Sequence, residues 1–296
     1  MDLWGLSIMP MTFDSLLEEI ETLPSERQET LVEILHHRLQ ERRRQEIARH
    51  AKEAREVFYA GRWPRGTVDD LVREAQITMQ TLVEQLIQSP KLPSYLKQFQ
   101  EILAREQQKR EAFYQTITEA DKAEFINGEV VFQSPVKFRH DAASGALFSL
   151  IRTFVAMHDL GYAGHEKIMI SLTRNDYEPD ICFFSKTKSE QFLPEQTRFP
   201  APDFIVEVLS DRTEANDRGT KFEDYAAHGV GEYWLVDPSQ KFVEQYILRG
   251  ECYELLIKSN SGNLKSAVIT GFEVPIRAIF DEKENLKALQ EIVRSV

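Results

Sequence analysis

Apolar positions change their spacing along this chain, from a helical period in the first part to strand-like runs in the second. Near the start, Ser25 and Gln28 occupy the N-cap and N3 places of a capping box. They open a long helix with Leu31, Ile34, Leu35 and Leu39 inward. Its continuation, ERRRQEIARHAKEARE, is charged nearly all round, and acids flank the Arg42, Arg43 and Arg44 cluster, the mark of a solvated helix. TFDSLLEEIETLP from Thr12 is echoed by TMQTLVEQLIQSP from Thr78, and a new module is expected near residue 77. Another helix is expected from Ser94 to about Tyr114.

Beyond that helix the pattern is mixed. In FINGEVVF, Asn127-Gly128 lies between β-prone residues, the strongest short-range hairpin signal. Leu147, Leu150, Ile151 and Phe154 share one face of a helix that should end at Gly161. Strands are expected over 168–173, 181–184, 203–209 and 233–236, with a helix around Lys221 between the last two. FVEQYIL, CYELLIK and SAVIT read as antiparallel additions, turning at Gly250 and at Asn260-Ser261-Gly262, and a last helix closes the domain. The order implies an α/β fold with a mixed sheet flanked by helices, preceded by an all-helical N-terminal region. Residues 1–76 are expected to be a helical appendage, 77–110 a helical lead-in, and 111–296 the α/β domain.

One charge breaks the apolar run DFIVEVL: Glu207 projects from the same face as Ile205 and Leu209. A carboxylate among aliphatic side chains costs several kcal/mol unless a cation or hydrogen-bond donors meet it. Upstream, Pro179 introduces Asp180 at the start of the run ICFF, where a strand leaves its turn. Downstream, positions 218, 221, 222 and 225 share a helix face and place the Lys221 ammonium beside apolar residues. Two carboxylates that hold a hard divalent cation, with an ammonium near the attacking water, suit phosphodiester hydrolysis.

Weaker candidates surround this trio. Asp203, in a second Pro-Asp pair, is expected to start its strand or orient a neighbour, and Asp217 to pair with Lys221 at i, i+4. His140, after Lys137 and Arg139, reads as part of a solvated basic turn, and Glu124 as a surface residue of an edge strand. Cys182 and Cys252, the only cysteines, lie in apolar runs and suggest neither a disulfide framework nor a zinc site.

The stretches EPDICFF, DFIVEVLS, DRGTKFEDYAAHGV and EYWLVDP closely resemble, in this order, the Uma family of putative restriction endonucleases, within the PD-(D/E)xK nuclease-like superfamily. The resemblance runs from about 111 to about 288 and includes EFINGEVVFQSPVKFRH. It implies a restriction-endonuclease-like fold and a nuclease that cuts DNA with Mg2+, or with Mn2+ in its place. Asp180 and Glu207 match the metal-binding acids, and Lys221 the catalytic lysine. Leu209 stands at the third position of the (D/E)xK element where the superfamily has lysine, so Lys221 on the next helix takes that place. The segment before residue 77, with AGRWPRG, weakly resembles small helical antitoxin-type proteins.

Net charge then divides two readings. At −12 the chain is a poor generic ligand for nucleic acid, whose binding draws on Lys and Arg. One expectation is therefore the metal-dependent nuclease. The other is a catalytically inactive nuclease-fold regulatory or interaction protein joined to an antitoxin-like module, with a toxin-antitoxin-like partner bound through the N-terminal helices. Those helices would also serve a homodimer. No run approaches the roughly 20 apolar residues of a membrane span, and a cytoplasmic protein is expected.

Overall fold

Strand alternation puts one hydrophobic core on each face of the main sheet, and a third, smaller cluster lies around Phe113 and Phe125. The computed structural model describes residues 83–118 and 120–294. The readings on the capping box, the arginine cluster, the first copy of the internal echo and the antitoxin-like segment fall outside the described residues. The chain divides into two units between Leu92 and Pro93, and the second carries everything below.

Helix α1 (Leu92–Thr116) leads into a small sheet of β1 (Ala123–Ile126), β2 (Glu129–Phe132), β4 (Met169–Ser171), β5 (Asp176–Tyr177) and β7 (Arg198–Phe199), ordered β2-β1-β5-β4-β7. β1 and β2 form the expected hairpin, with Asn127 and Gly128 at φ 50° and 83°, as a two-residue primed turn requires. Arg110 on α1 forks onto both oxygens of buried Asp176 at 2.6 and 2.8 Å and onto the Leu172 carbonyl, which locks α1 to this sheet.

The main sheet is ordered β11-β10-β9-β8-β6-β3. Its members are β3 (Gly161–His165), β6 (Ile181–Ser185), β8 (Phe204–Val208), β9 (Glu232–Asp237), β10 (Phe242–Arg249) and β11 (Cys252–Ser259). β8 and β9 are parallel, while β6 runs antiparallel to β8 and β10 to β9, so the sheet is mixed as expected. Phe204, Val206 and Val208 pack on one face with α2 (Phe138–Met157), the last helix α6 (Glu282–Arg294) and the 3-10 turn Ile276–Ile279. Ile205 and Leu209 pack on the other face with Tyr225, Tyr233 and Leu235. The period of two therefore decides where Glu207 goes: onto the Tyr225 side. A short α3 (Lys186–Ser189) follows β6.

Between β8 and β9, the single helix expected around Lys221 is two: α4 (Glu214–Asp217) and α5 (Thr220–Ala227). They part at Gly219, whose φ −119° and ψ −102° no helix uses, and where a Cβ would stand 2.8 Å from the Ala215 carbonyl. Helix α2 ends before Gly161, because Asp159 takes the left-handed turn at φ 51° and Gly161 opens β3. SAVIT forms no strand: it is the turn between β12 (Asn263–Lys265) and β13 (Glu273–Pro275), bent so that its amides reach buried Glu232. Cys182 is buried and Cys252 exposed, both unpaired. No helix among the described residues is long and apolar enough to cross a membrane.

Candidate active site

Asp180, Glu207 and Lys221 line one cavity of about 370 Å3, together with Glu124, Glu178 and Asp217. Strand register does the first part of the assembly. The last paired residues of β6 and β8 are Ile181 and Val206, and one step further Asp180 stands across from Glu207. The Val208 amide seals that end of the ladder by donating to Asp180 Oδ2 at 2.8 Å.

Helix α5 supplies the cation. Lys221 Nζ lies 2.8 Å from Glu124 Oε1, 3.0 Å from Glu207 Oε1 and 3.3 Å from Asp217 Oδ1, with its side chain 2% exposed. Tyr225, one helical turn on, donates its hydroxyl to Glu207 Oε1 at 3.1 Å. Leu209, two residues after Glu207, stays in the apolar core.

Three acids around one ammonium set the electrostatics. Burial alone would lower the Lys221 pKa, but Glu124, Glu207 and Asp217 outweigh it and hold the amine well above its usual value, fully protonated. Burial drives Glu207 well above the usual carboxylate range, with Lys221 opposing and Asp217 and Asp180 adding to the rise. Asp217 is raised by burial too. Burial thus pushes the acids toward neutrality while their charge holds the one cation firmly. Glu178, also buried, is pushed up to about 7. Asp180 moves the other way: burial would raise it, but the hydrogen bond and charge of His140, with Lys122, hold it below its usual value.

Two residues read from the sequence as surface groups belong to the site. His140, 7% exposed on the first turn of α2, sets Nε2 3.3 Å from Asp180 Oδ2, and its Nδ1 has no hydrogen-bond partner. Burial would lower its pKa, but Asp180 outweighs burial and raises it. Glu124 is 3% exposed because β1 lies inside its sheet, between β2 and β5, and it also accepts the Glu178 amide at 3.0 Å. Asp217 pairs with Lys221 as expected at i, i+4. Asp203 orients neighbours: it accepts the Ser185 amide at 2.7 Å and pairs with Lys188 at 2.8 Å.

The loop after β2 and the loop after β8 meet across the mouth. Lys137 Nζ bonds Asp211 Oδ2 at 2.6 Å, and Arg212 donates to Ser134 Oγ and, at 3.3 Å, to the Phe132 carbonyl.

This mixed sheet, with helices on both faces and buried acids at the ends of β6 and β8, has the fold of the nuclease-like α/β class. A crystallised protein from Anabaena variabilis, described as a putative nuclease belonging to DUF820, shares it with a TM-score of 0.50 at 19% identity, over 60% of this chain and 96% of that one. Residues 110–277 match the sequence profile of the Uma2 family, described as putative restriction endonuclease, and the chain belongs to that family. A similar curated protein, the uncharacterized slr1290 of Synechocystis sp., is 30% identical over 131 residues, 43% of this chain and 66% of that protein's own length.

Proposed function

We propose that this chain is a metal-dependent nuclease that hydrolyses phosphodiester bonds in DNA, with Asp180 and Glu207 as the metal-binding acids and Lys221 as the catalytic amine. The observation that carries the proposal is the convergence of the three on one cavity floor, from two strands and a helix. The donor set fits magnesium, or manganese in its place. Among the described residues no three His, Cys, Asp or Glu side chains are arranged to hold a metal alone, and magnesium asks for no such cage. One or two carboxylates suffice, the other positions going to water and phosphate oxygens. The acids argue the same way: burial pushes Glu207, Asp217 and Glu178 toward protonation, and Asp217 Oδ1 accepts no hydrogen bond.

When bound, the ion would supply charge neutralisation at the phosphoryl oxygens. The chain's own residues do the rest. Lys221, kept cationic by three acids, can orient a water molecule and offset charge that develops on the phosphate. His140 and the Val208 amide fix the Asp180 carboxylate.

Plasmid cleavage in magnesium or manganese tests the proposal. Wild type should cut, and Asp180→Ala, Glu207→Ala and Lys221→Ala should each lose cutting. Equal cleavage by all four would trace the activity to a contaminant and end the assignment.

A further inference from the structure

The cavity mouth is unlike its floor. Phe132, 61% exposed, lines it, and Phe138, 85% exposed, stands on the first turn of α2 between the lining residues Lys137 and Arg139. Val136, on the same loop, is 42% exposed. Lys137, Arg139 and Arg212 line the mouth with Phe132, and the acids beside them are Asp211 and the exposed Asp141 on the first turn of α2. Among the described residues, the hydrogen-bond partners of Arg212 are neutral oxygens and no carboxylate pairs with it. In a chain of net charge −12, one aromatic and cationic rim lies around the pocket that holds the candidate catalytic groups.

We infer that this rim docks an unpaired stretch of DNA, its bases stacked on Phe132 and Phe138 and its phosphates led inward by Lys137, Arg139 and Arg212. The inference rests on the nuclease reading above and names its substrate class. Aromatic platforms interleaved with cations are how proteins hold single strands, because every base has a face to stack and the backbone is charged throughout. An intact duplex hides those faces within its own stack, so exposed rings at a mouth gain little from it. Depth argues in the same direction. Lys221, Glu207 and Asp180 are 2%, 4% and 6% exposed, and a phosphate must enter the cavity to meet them. A flexible strand can bend its backbone inward, whereas a stiff duplex presents its phosphates along a gently curving exterior.

Fluorescence anisotropy decides the matter without catalysis. In chelator, a labelled single-stranded oligonucleotide and the blunt duplex of the same sequence are titrated with wild type, Phe132→Ala/Phe138→Ala and Phe132→Tyr/Phe138→Tyr. The single strand should bind wild type roughly tenfold or more tightly than the duplex, the scale of one or two stacked bases. The alanine pair should lose that margin and leave duplex affinity unchanged, and the tyrosine pair should keep it. Both rings project into solvent, so thermal unfolding of the variants should match wild type. Equal affinity for the two forms, or an alanine pair that binds the strand like wild type, would overturn the inference. Ring-dependent strand binding by a protein that cuts nothing would uphold the docking surface and overturn the nuclease reading. Metal-dependent cutting of duplex by a protein indifferent to both rings would do the reverse.

Discussion

Glu207 on β8 and Glu232 on β9 sit on neighbouring parallel strands, 4% and 0% exposed, and their surroundings differ in kind. Glu232 faces the α2 side and meets only neutral donors. Trp234 Nε1 and Gln245 Nε2 reach Oε1 at 2.6 Å, and the Ser266 hydroxyl with the Ala267 and Val268 amides reach Oε2 at 2.6, 2.9 and 2.9 Å. Every acceptor position is taken by a group of the fold itself, which suits a structural anchor. Glu207 faces the α5 side and shares one ammonium with two other acids, in a cavity that opens to solvent. A buried carboxylate saturated by fixed dipoles holds a fold together. One left short of positive charge, with its pKa driven up, is where chemistry is to be sought.

Replacing the shared cation should have the largest effect. Lys221→Met leaves Glu124, Glu207 and Asp217 uncompensated and should cost about 3 to 5 kcal/mol in urea unfolding at neutral pH, with a smaller loss in acid, where the carboxyls protonate. Unchanged stability at neutral pH would mean that the acids are already neutral. Next comes a crossed pair. Glu232→Gln turns an amide against the Ser266, Ala267 and Val268 donors and should cost roughly 1 to 3 kcal/mol while sparing cleavage per folded molecule. Glu207→Gln should abolish metal-dependent cleavage and leave unfolding near wild type. If the two variants exchanged these effects, the contrast between the glutamates would be lost.

A smaller effect is expected at His140. Truncation to alanine removes a hydrogen-bonding partner of Asp180 and should weaken magnesium binding about 10- to 100-fold by calorimetric titration. The smallest concerns pH. Glu178 has its pKa raised by burial from 4.5 to about 7, so the folded state binds a proton that the unfolded state releases over that interval. Stability without metal should therefore fall as pH rises from 4.5 to about 7, by about 1 to 2 kcal/mol once partial solvation is allowed for. Glu178→Gln should flatten that slope.

Asp180, Glu207 and Lys221 were legible because each is an anomaly within its own segment: an acid entering an apolar run, a charge inside a strand, a lysine on an apolar helix face. Glu124 gave no such signal, since all four residues of β1 are buried and no alternation marks which one faces chemistry. His140 owes its burial to Asp180, a partner that only the docking of α2 on the main sheet brings close. β3, GYAGH, lacks the β-branched run that announces a strand, and its Gly164 leaves room for Ile168 and Cys182, where a Cβ would come within 2.8 and 2.9 Å. SAVIT looked like a strand because its middle is apolar, but only Ile269 of those residues is buried and the backbone is committed to Glu232. Local pattern revealed the residues that violate it. Groups drawn to the cavity by distant contacts stayed hidden until the chain was folded.

The Lys137 to Asp211 ion pair and the Arg212 to Ser134 hydrogen bond cross the entrance on its solvent side. That ion pair lies in water, where added electrolyte weakens such attractions over a Debye length of about 8 Å at physiological strength. The same electrolyte loosens any polyanion from the cationic rim. Strand binding at the rim should therefore weaken steadily as potassium chloride is raised. Lys137→Met should make that fall shallower.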